Sequence, residues 1–335
     1  MESRGRPKGG AAAPEAVPQA ERRLRPGPAT QSKLDQYLPQ ARTRCLQVGA
    51  AVLLLALPVM SRADETASAL PAGRAGVLVV AHGGNSQWDS TVRKIVRDAR
   101  LDAPVETVFG MGMHANEVQQ FQKAVERLER KSIDRLIVVP LLISSHSEVF
   151  RQYAYLFGLQ PTAPWPEAGK PLALHVPVVI GQTLDQSTVL GAILLDRAQA
   201  IRRGENDAVV LVAHGPNEDA DNQAWLNALQ QLGQTIKTQG PFREVVAATM
   251  RDDAPVAIHE QAGQTLRKLV QTAHAQGRVL VVPVLLARGG VERKIPKLLA
   301  GLTYVYQNDT VLPDPRVAQW IAQQVERLSA APSGS

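Results

Sequence analysis

The chain has almost no cysteine. Of 335 residues only Cys45 is one. It falls in a segment that reads as removed on export, so the rest has no thiol, disulfide or Cys-type metal site. Any metal would need His, Asp or Glu ligands. The body also lacks a basic excess. Residues 1–63 carry ten Lys/Arg and four Asp/Glu, whereas 64–335 carry 27 of each sign. The high pI therefore belongs to the N-terminal segment, and the body lacks the charge footprint of a nucleic-acid binder. No G-x-G-x-x-G follows a first strand; the loop reads His82-Gly83-Gly84-Asn85-Ser86, which argues against a dinucleotide site. No G-x-S-x-G elbow occurs, which weighs against a serine hydrolase on an α/β scaffold. Aromatics make up 4% and apolar residues 44%, a soluble globular composition.

The N-terminal segment has an export pattern. Arg42 and Arg44 precede 45–61, which carries no charge, with its apolar part at 50–57. Ser61-Arg62-Ala63 follows, with small residues at the −3 and −1 positions of a cut before Asp64. These features predict a signal peptide over 45–63 cleaved after Ala63, and a periplasmic or secreted protein. An uncleaved membrane anchor over 45–61 is the alternative, for which the apolar run is short. Residues 1–44 are rich in Pro, Gly and Arg and read as a disordered basic extension. They make a long n-region, consistent with a start downstream of Met1.

Beyond it the chain repeats itself. Val79-Val80-Ala81-His82-Gly83 returns as Leu211-Val212-Ala213-His214-Gly215. Val138-Val139-Pro140-Leu141-Leu142 returns as Val281-Val282-Pro283-Val284-Leu285. The spacing between the phrases is similar in both halves, so two copies of one unit are expected, over 76–202 and 207–329. Apolar runs at 76–83, 104–109, 135–143 and 172–180 read as strands. Helical spacing at 88–100, 116–130, 147–159 and 185–202 separates or follows them. The second half repeats this with strands at 208–214, 244–250, 278–286 and 304–311 and helices at 221–237, 255–275, 291–302 and 316–328. The class is α/β: two tandem domains, each a mostly parallel sheet of about four strands covered by helices on both faces.

Seven histidines follow the leader. His82, His114 and His146 come after the first, second and third strands of the first half. In a parallel sheet those loops open on one carboxyl edge, where ligands bind. Any one alone fits a loop histidine satisfied by hydrogen bonds. Their shared placement points instead to a joint site for a divalent cation, with a position left open for substrate. Imidazole also accepts protons near neutral pH. Glu148 fits a ligand-orienting group or base, or equally a charge on a helix N-terminus. The second half keeps His214 but has no His in its third-strand loop, and reads as a degenerate copy. His175, His259 and His274 read as structural or solvent-facing.

With these pieces in order, the chain resembles the class II tetrapyrrole chelatases of the CbiX/SirB type, the sirohydrochlorin cobalto- and ferrochelatases. The doubled Ala-His-Gly, the Val-Val-Pro strand with its His loop, and the closing segments 181–190 and 312–316 carry the resemblance over 76–329. It implies two chelatase-like domains facing across a cleft that holds a planar tetrapyrrole. It implies insertion of Co²⁺ or Fe²⁺, with Ni²⁺ or Zn²⁺ as further candidates. His82 and His146 would bind the metal or accept the pyrrole protons. Their placement in the neighbouring loops adds His114 as a candidate third ligand and Ser144, Ser145, Glu148 and His214 as candidates for the rim. Many members carry a carboxylate after the second strand; here the nearest matches are His114 and Glu117. The third-strand loop, Ser144-Ser145-His146-Ser147, lacks the expected Gly. The family's biosynthetic members work in the cytoplasm, which leaves an exported metal- or tetrapyrrole-binding protein without turnover as a second reading. The duplication suggests a monomer, since fused units form internally the cleft that a single unit would form by dimerising.

Overall fold

The first half begins with a strand whose alternate residues serve two different cores. A computed structural model describes residues 74–165 and 169–330; the expected extension and signal peptide lie outside them. In β1 (Ala75–Ala81), Val77, Val79 and Ala81 face a central core, while Leu78 and Val80 face an outer one. This period of two is the side-chain alternation of a strand, and both faces are covered, so the run is apolar throughout.

The order continues α1 (Ser86–Asp98), β2 (Val105–Phe109), α2 (Ala115–Glu129), β3 (Arg135–Pro140), α3 (Glu148–Leu156), β4 (Val178–Ile180) and α4 (Thr188–Ile201). The second half runs β5 (Ala208–Ala213), α5 (Asp219–Gln239), β6 (Glu244–Thr249), α6 (Val256–His274), β7 (Val279–Val284), α7 (Lys294–Leu298), β8 (Val305–Tyr306) and α8 (Pro315–Ala330). The sheets have the orders β2-β1-β3-β4 and β6-β5-β7-β8, all parallel. The expected pair of four-stranded parallel α/β units is therefore present, and in matching register. Val80 lies opposite Pro140 and Val212 opposite Pro283; Ala81 lies opposite Phe109 and Ala213 opposite Thr249.

The halves exchange their closing helices. α4 packs on α5 and β7 of the second half, and α8 packs on α1 and β3 of the first. One central core thus draws on both sheets and on α1, α4, α5 and α8. Two outer cores lie beneath α2 with α3 and beneath α6 with α7.

Four expected elements are shorter than their apolar patterns. The strand expected at 172–180 is reduced to β4. Ala173 N–H donates to the Gln122 amide oxygen and His175 N–H to Glu129, and Pro177 has no N–H to give. Side chains of α2 thus take bonds that a strand ladder would have used. The helix expected at 291–302 is a 3₁₀ turn (Val291–Arg293) followed by the short α7. Pro296 cannot donate to the Glu292 carbonyl, which accepts the Tyr306 hydroxyl at 2.7 Å instead. The strand expected at 304–311 is reduced to β8, and the helix expected from 185 begins as a 3₁₀ turn (Leu184–Gln186) before α4.

Candidate functional site at the carboxyl edges of the sheets

The doubled His-Gly is a structural unit before it is a chemical one. Gly83 has φ +86° and Gly215 φ +80°, a backbone that L-residues rarely adopt. A Cβ on Gly83 would stand 3.2 Å from Phe109 Cβ; on Gly215 it would stand 2.5 Å from Thr249 Cβ. The loop must therefore turn sharply beside the neighbouring strand, and glycine permits both the turn and the approach. The turned carbonyl then takes the histidine. His82 Nδ1 lies 2.8 Å from Gly83 O, and His214 Nδ1 lies 2.9 Å from Gly215 O. A carbonyl oxygen only accepts, so Nδ1 is the donor in this bond, and Nε2 is the nitrogen left to act as a ligand when the ring carries a single proton. This fixes one ligand-competent tautomer in each half.

The strand order puts β1 between β2 and β3. The His82 loop is therefore flanked by the loops of His114 and His146, at one sheet edge. His82 and His114 are exposed and His146 is half-buried. His114 is the N-cap residue of α2 but makes no side-chain capping bond. Glu117, the expected alternative to it, turns back to accept the Met113 N–H at 3.1 Å. Ser144 and Ser145 shape the loop. Buried Ser144 Oγ accepts the His146 N–H at 3.1 Å, and Ser145 donates its N–H and hydroxyl to Asp185 Oδ2 at 2.9 and 3.1 Å. Ser147 caps α3 by accepting the Phe150 N–H, and Glu148 occupies that helix's first turn.

Two residues that the sequence patterns did not single out hold the second-strand loop. Gln152 Nε2 donates to Gly112 O and the Tyr153 hydroxyl to Gly110 O, both at 2.7 Å. α3 thus grips the glycine loop that leads to His114. Burial, with a smaller push from Glu117, raises the Tyr153 phenol far above its usual range, so it remains a donor at any working pH. The third-strand anchor, Asp185, was legible only as a helix start. Its role depends on a 40-residue separation that no local spacing reveals.

The second half is built differently at the same edge. Its third-strand loop is closed on its own carboxylate: Glu292 accepts the Gly289 and Gly290 N–H groups at 3.2 and 2.8 Å. Burial acts to raise the Glu292 pKa, but bonds from backbone N–H groups and nearby Arg293 outweigh it and hold the carboxyl below its usual range. Among the described residues, the group of His, Cys, Asp or Glu whose ligand atoms all lie within 4.8 Å of one another is His214, Asp252 and Asp253. His82, His114 and His146 share an edge but do not form such a group in this structure.

The two carboxyl edges adjoin. Arg151 in α3 makes a bidentate ion pair with Asp221 in α5, at 2.7 and 2.8 Å. The Gly289 loop lies against Trp88 at the start of α1, where an added Cβ would come within 3.2 Å of the indole. A groove of about 670 Å³ lies elsewhere: it follows edge strand β2 between α1 and α2, and none of the histidines lines it.

The chain is thus a duplicated parallel α/β body with a histidine, bonded through Nδ1 to a turned glycine carbonyl, at the carboxyl edge of each sheet. The CbiX family model matches it twice, at residues 76–200 and 208–328, and the chain belongs to that family. No curated protein matches the chain. Among solved structures it is similar to SirB from Bacillus subtilis with Fe³⁺, at 17% identity and a TM-score of 0.53, over 77% of this chain and 96% of that one. It is also similar to a multi-domain Deinococcus radiodurans protein described as resembling chelatases, at 16% identity and a TM-score of 0.48, over 77% and 55%. At 17% identity the likeness to SirB concerns the fold alone.

Proposed function

We propose that this protein inserts a divalent metal, Co²⁺ or Fe²⁺, into a sirohydrochlorin-type tetrapyrrole. Its membership of the CbiX family supports chelatase chemistry with a divalent metal and a tetrapyrrole as substrates. The observation that carries the assignment of residues is His82, exposed, with Nδ1 committed to Gly83 O and Nε2 bare.

Insertion replaces two pyrrole N–H protons by one M²⁺, so two protons must leave as the metal binds all four ring nitrogens. The site needs an exchangeable metal perch and bases that work near the operating pH. His82 and His146 supply both in this reading, with His114 as a third ligand. Ser144, Ser145 and Asp185 set the register of His146. The tetrapyrrole enters between the two carboxyl edges, beside the Arg151–Asp221 pair. A central core drawn from both halves of one chain supports a monomer with an internal cleft. The export pattern over 45–63 supports a periplasmic or extracellular site. It also favours the second reading, a metal- or tetrapyrrole-binding protein without turnover.

One assay separates the two. The chain lacking 1–63 is incubated with sirohydrochlorin and Co²⁺ or Fe²⁺, and the tetrapyrrole absorption is followed. Insertion faster than the uncatalysed rate is expected, and lost in His82→Ala and His146→Ala. A rate equal to the uncatalysed one, with metal still bound, would leave only the binding reading.

A further inference from the structure

The second half keeps the His-Gly turn of the first and changes what surrounds it. Counting from the register pairs Ala81–Phe109 and Ala213–Thr249, Asp252 and Asp253 occupy the positions of Gly112 and Met113, immediately before His114. The loop that brings a histidine to the first edge thus brings two carboxylates to the second. Asp253 Oδ2 lies 3.4 Å from His214 Nε2, the nitrogen left bare by the bond to Gly215. Donors about 2.0–2.2 Å from a tetrahedral cation stand roughly 3.4 Å apart, so this spacing is that of two ligands sharing one ion.

The arrangement is held from outside. Arg251, with φ +50° and its side chain nearly buried, donates its N–H to His214 O at 2.6 Å. Its guanidinium bonds Pro216 O at 3.1 Å, Asn217 O, and Asp219 at 2.6 Å. The residue before the Asp pair is therefore pinned to the loop that follows His214. Lys294 takes Asp252 Oδ2 at 2.5 Å and offsets one of the two negative charges. The Asp253 side chain is 67% exposed, so an ion could enter from solvent. The third-strand loop contributes no ligand, because Glu292 is turned onto its own glycine amides.

We propose that the second half carries its own divalent transition-metal site, formed by His214, Asp252 and Asp253 and separate from the first-half histidines. One imidazole and two carboxylates suit Co²⁺, Fe²⁺ or Zn²⁺ and leave coordination positions for water or an incoming ligand. The site does not depend on the chelatase reading, since its ligands and its tether lie wholly in the second half.

The test counts Co²⁺ bound to the chain by equilibrium dialysis and elemental analysis, with the visible Co²⁺ spectrum as a second readout. Four proteins are compared: the parent, His214→Ala, Asp253→Asn, and the His82→Ala/His146→Ala pair. Asp253→Asn alters an exposed side chain, so its circular dichroism should match the parent. His214→Ala and Asp253→Asn are each expected to lose one bound equivalent, and the double first-half variant to keep it. If His214→Ala and Asp253→Asn bind as much Co²⁺ as the parent, the 3.4 Å contact is a histidine–aspartate ion pair and the proposal is wrong. Loss in His214→Ala alongside full binding in the double variant would overturn the first-half assignment and leave this one standing.

Discussion

Arg151 and Asp221 join the helix that follows the His146 loop to the helix that follows the His214 loop. Their contact is two parallel bonds, Nη1 to Oδ1 at 2.7 Å and Nη2 to Oδ2 at 2.8 Å. The pair therefore ties the carboxyl edge of one half to that of the other, beside the space assigned to the tetrapyrrole. Hydrogen bonding to Asp221 is the largest influence raising the Arg151 pKa, so the guanidinium stays charged throughout the working range. With the arginine side chain 36% exposed and the aspartate 20%, solvent screens much of the attraction. A double-mutant cycle of Arg151→Ala and Asp221→Ala should give a coupling of about 0.5–1 kcal/mol by urea unfolding, shrinking as salt is raised. Tetrapyrrole affinity should fall more than stability does, because the pair positions the two edges.

Gly83→Ala should weaken metal binding without removing any proposed ligand. The substitution strains a φ of +86° and brings a Cβ to 3.2 Å from Phe109. A shift of the Gly83 carbonyl would free the His82 ring to turn. A loss of Co²⁺ affinity of roughly tenfold is expected, about 1.4 kcal/mol. Gly215→Ala should destabilise more, since its Cβ would lie 2.5 Å from Thr249. The two Tm values measured side by side check this order.

Tyr153→Phe keeps the buried ring and leaves the Gly110 carbonyl without its 2.7 Å donor. A stability loss of about 1–2 kcal/mol is expected. If His114 is a metal ligand, Co²⁺ affinity should fall as well, because that loop is gripped from α3. Unchanged affinity with a lowered Tm would remove His114 from the ligand set.

Acid should expose two structural carboxylates of the second half. Asp314 is held below the usual range chiefly by its hydrogen bonds from Arg316, and Glu292 by backbone N–H groups that outweigh its burial. A carboxyl whose pKa is lower when folded adds stability that is fully present above the unfolded value, near 4. That stability is lost as pH falls through the folded value. Unfolding free energy should therefore drop with a steepening slope below about pH 4. Asp314→Asn and Glu292→Gln should each be less stable at neutral pH and show a shallower acid slope, measured by denaturant unfolding across that range.

Much of the fold was legible because its signals are local. Strand runs such as 77–81 are apolar at every position, which marks a sheet covered on both faces, and the two phrases repeat at matching intervals. The neighbouring placement of the His82, His114 and His146 loops also followed, once each was assigned to a strand end of one parallel sheet. The strands β4 and β8 are shorter than their apolar runs. An apolar stretch does not show that Gln122 and Glu129 will take up its backbone N–H groups. Nor does it show that Pro296 will leave the Glu292 carbonyl for Tyr306. The second-half group of His214, Asp252 and Asp253 is not legible as a site in the sequence, because its members come from two loops 38 residues apart that only the pairing of β5 with β6 brings together.

The sequence by itself determined the duplication, the parallel α/β class and the histidine that ends the first strand of each half. Those features are written in residue type and short spacing, which need no knowledge of distant contacts. Only the tertiary structure decided which nitrogen of His82 and His214 is bare, since that rests on a carbonyl turned by a left-handed glycine. Only it revealed that each half closes the other with its last helix, and that Arg151 meets Asp221 across 70 residues of chain. Those outcomes belong to packing, where the best partner for a group is chosen by proximity in space and not along the chain.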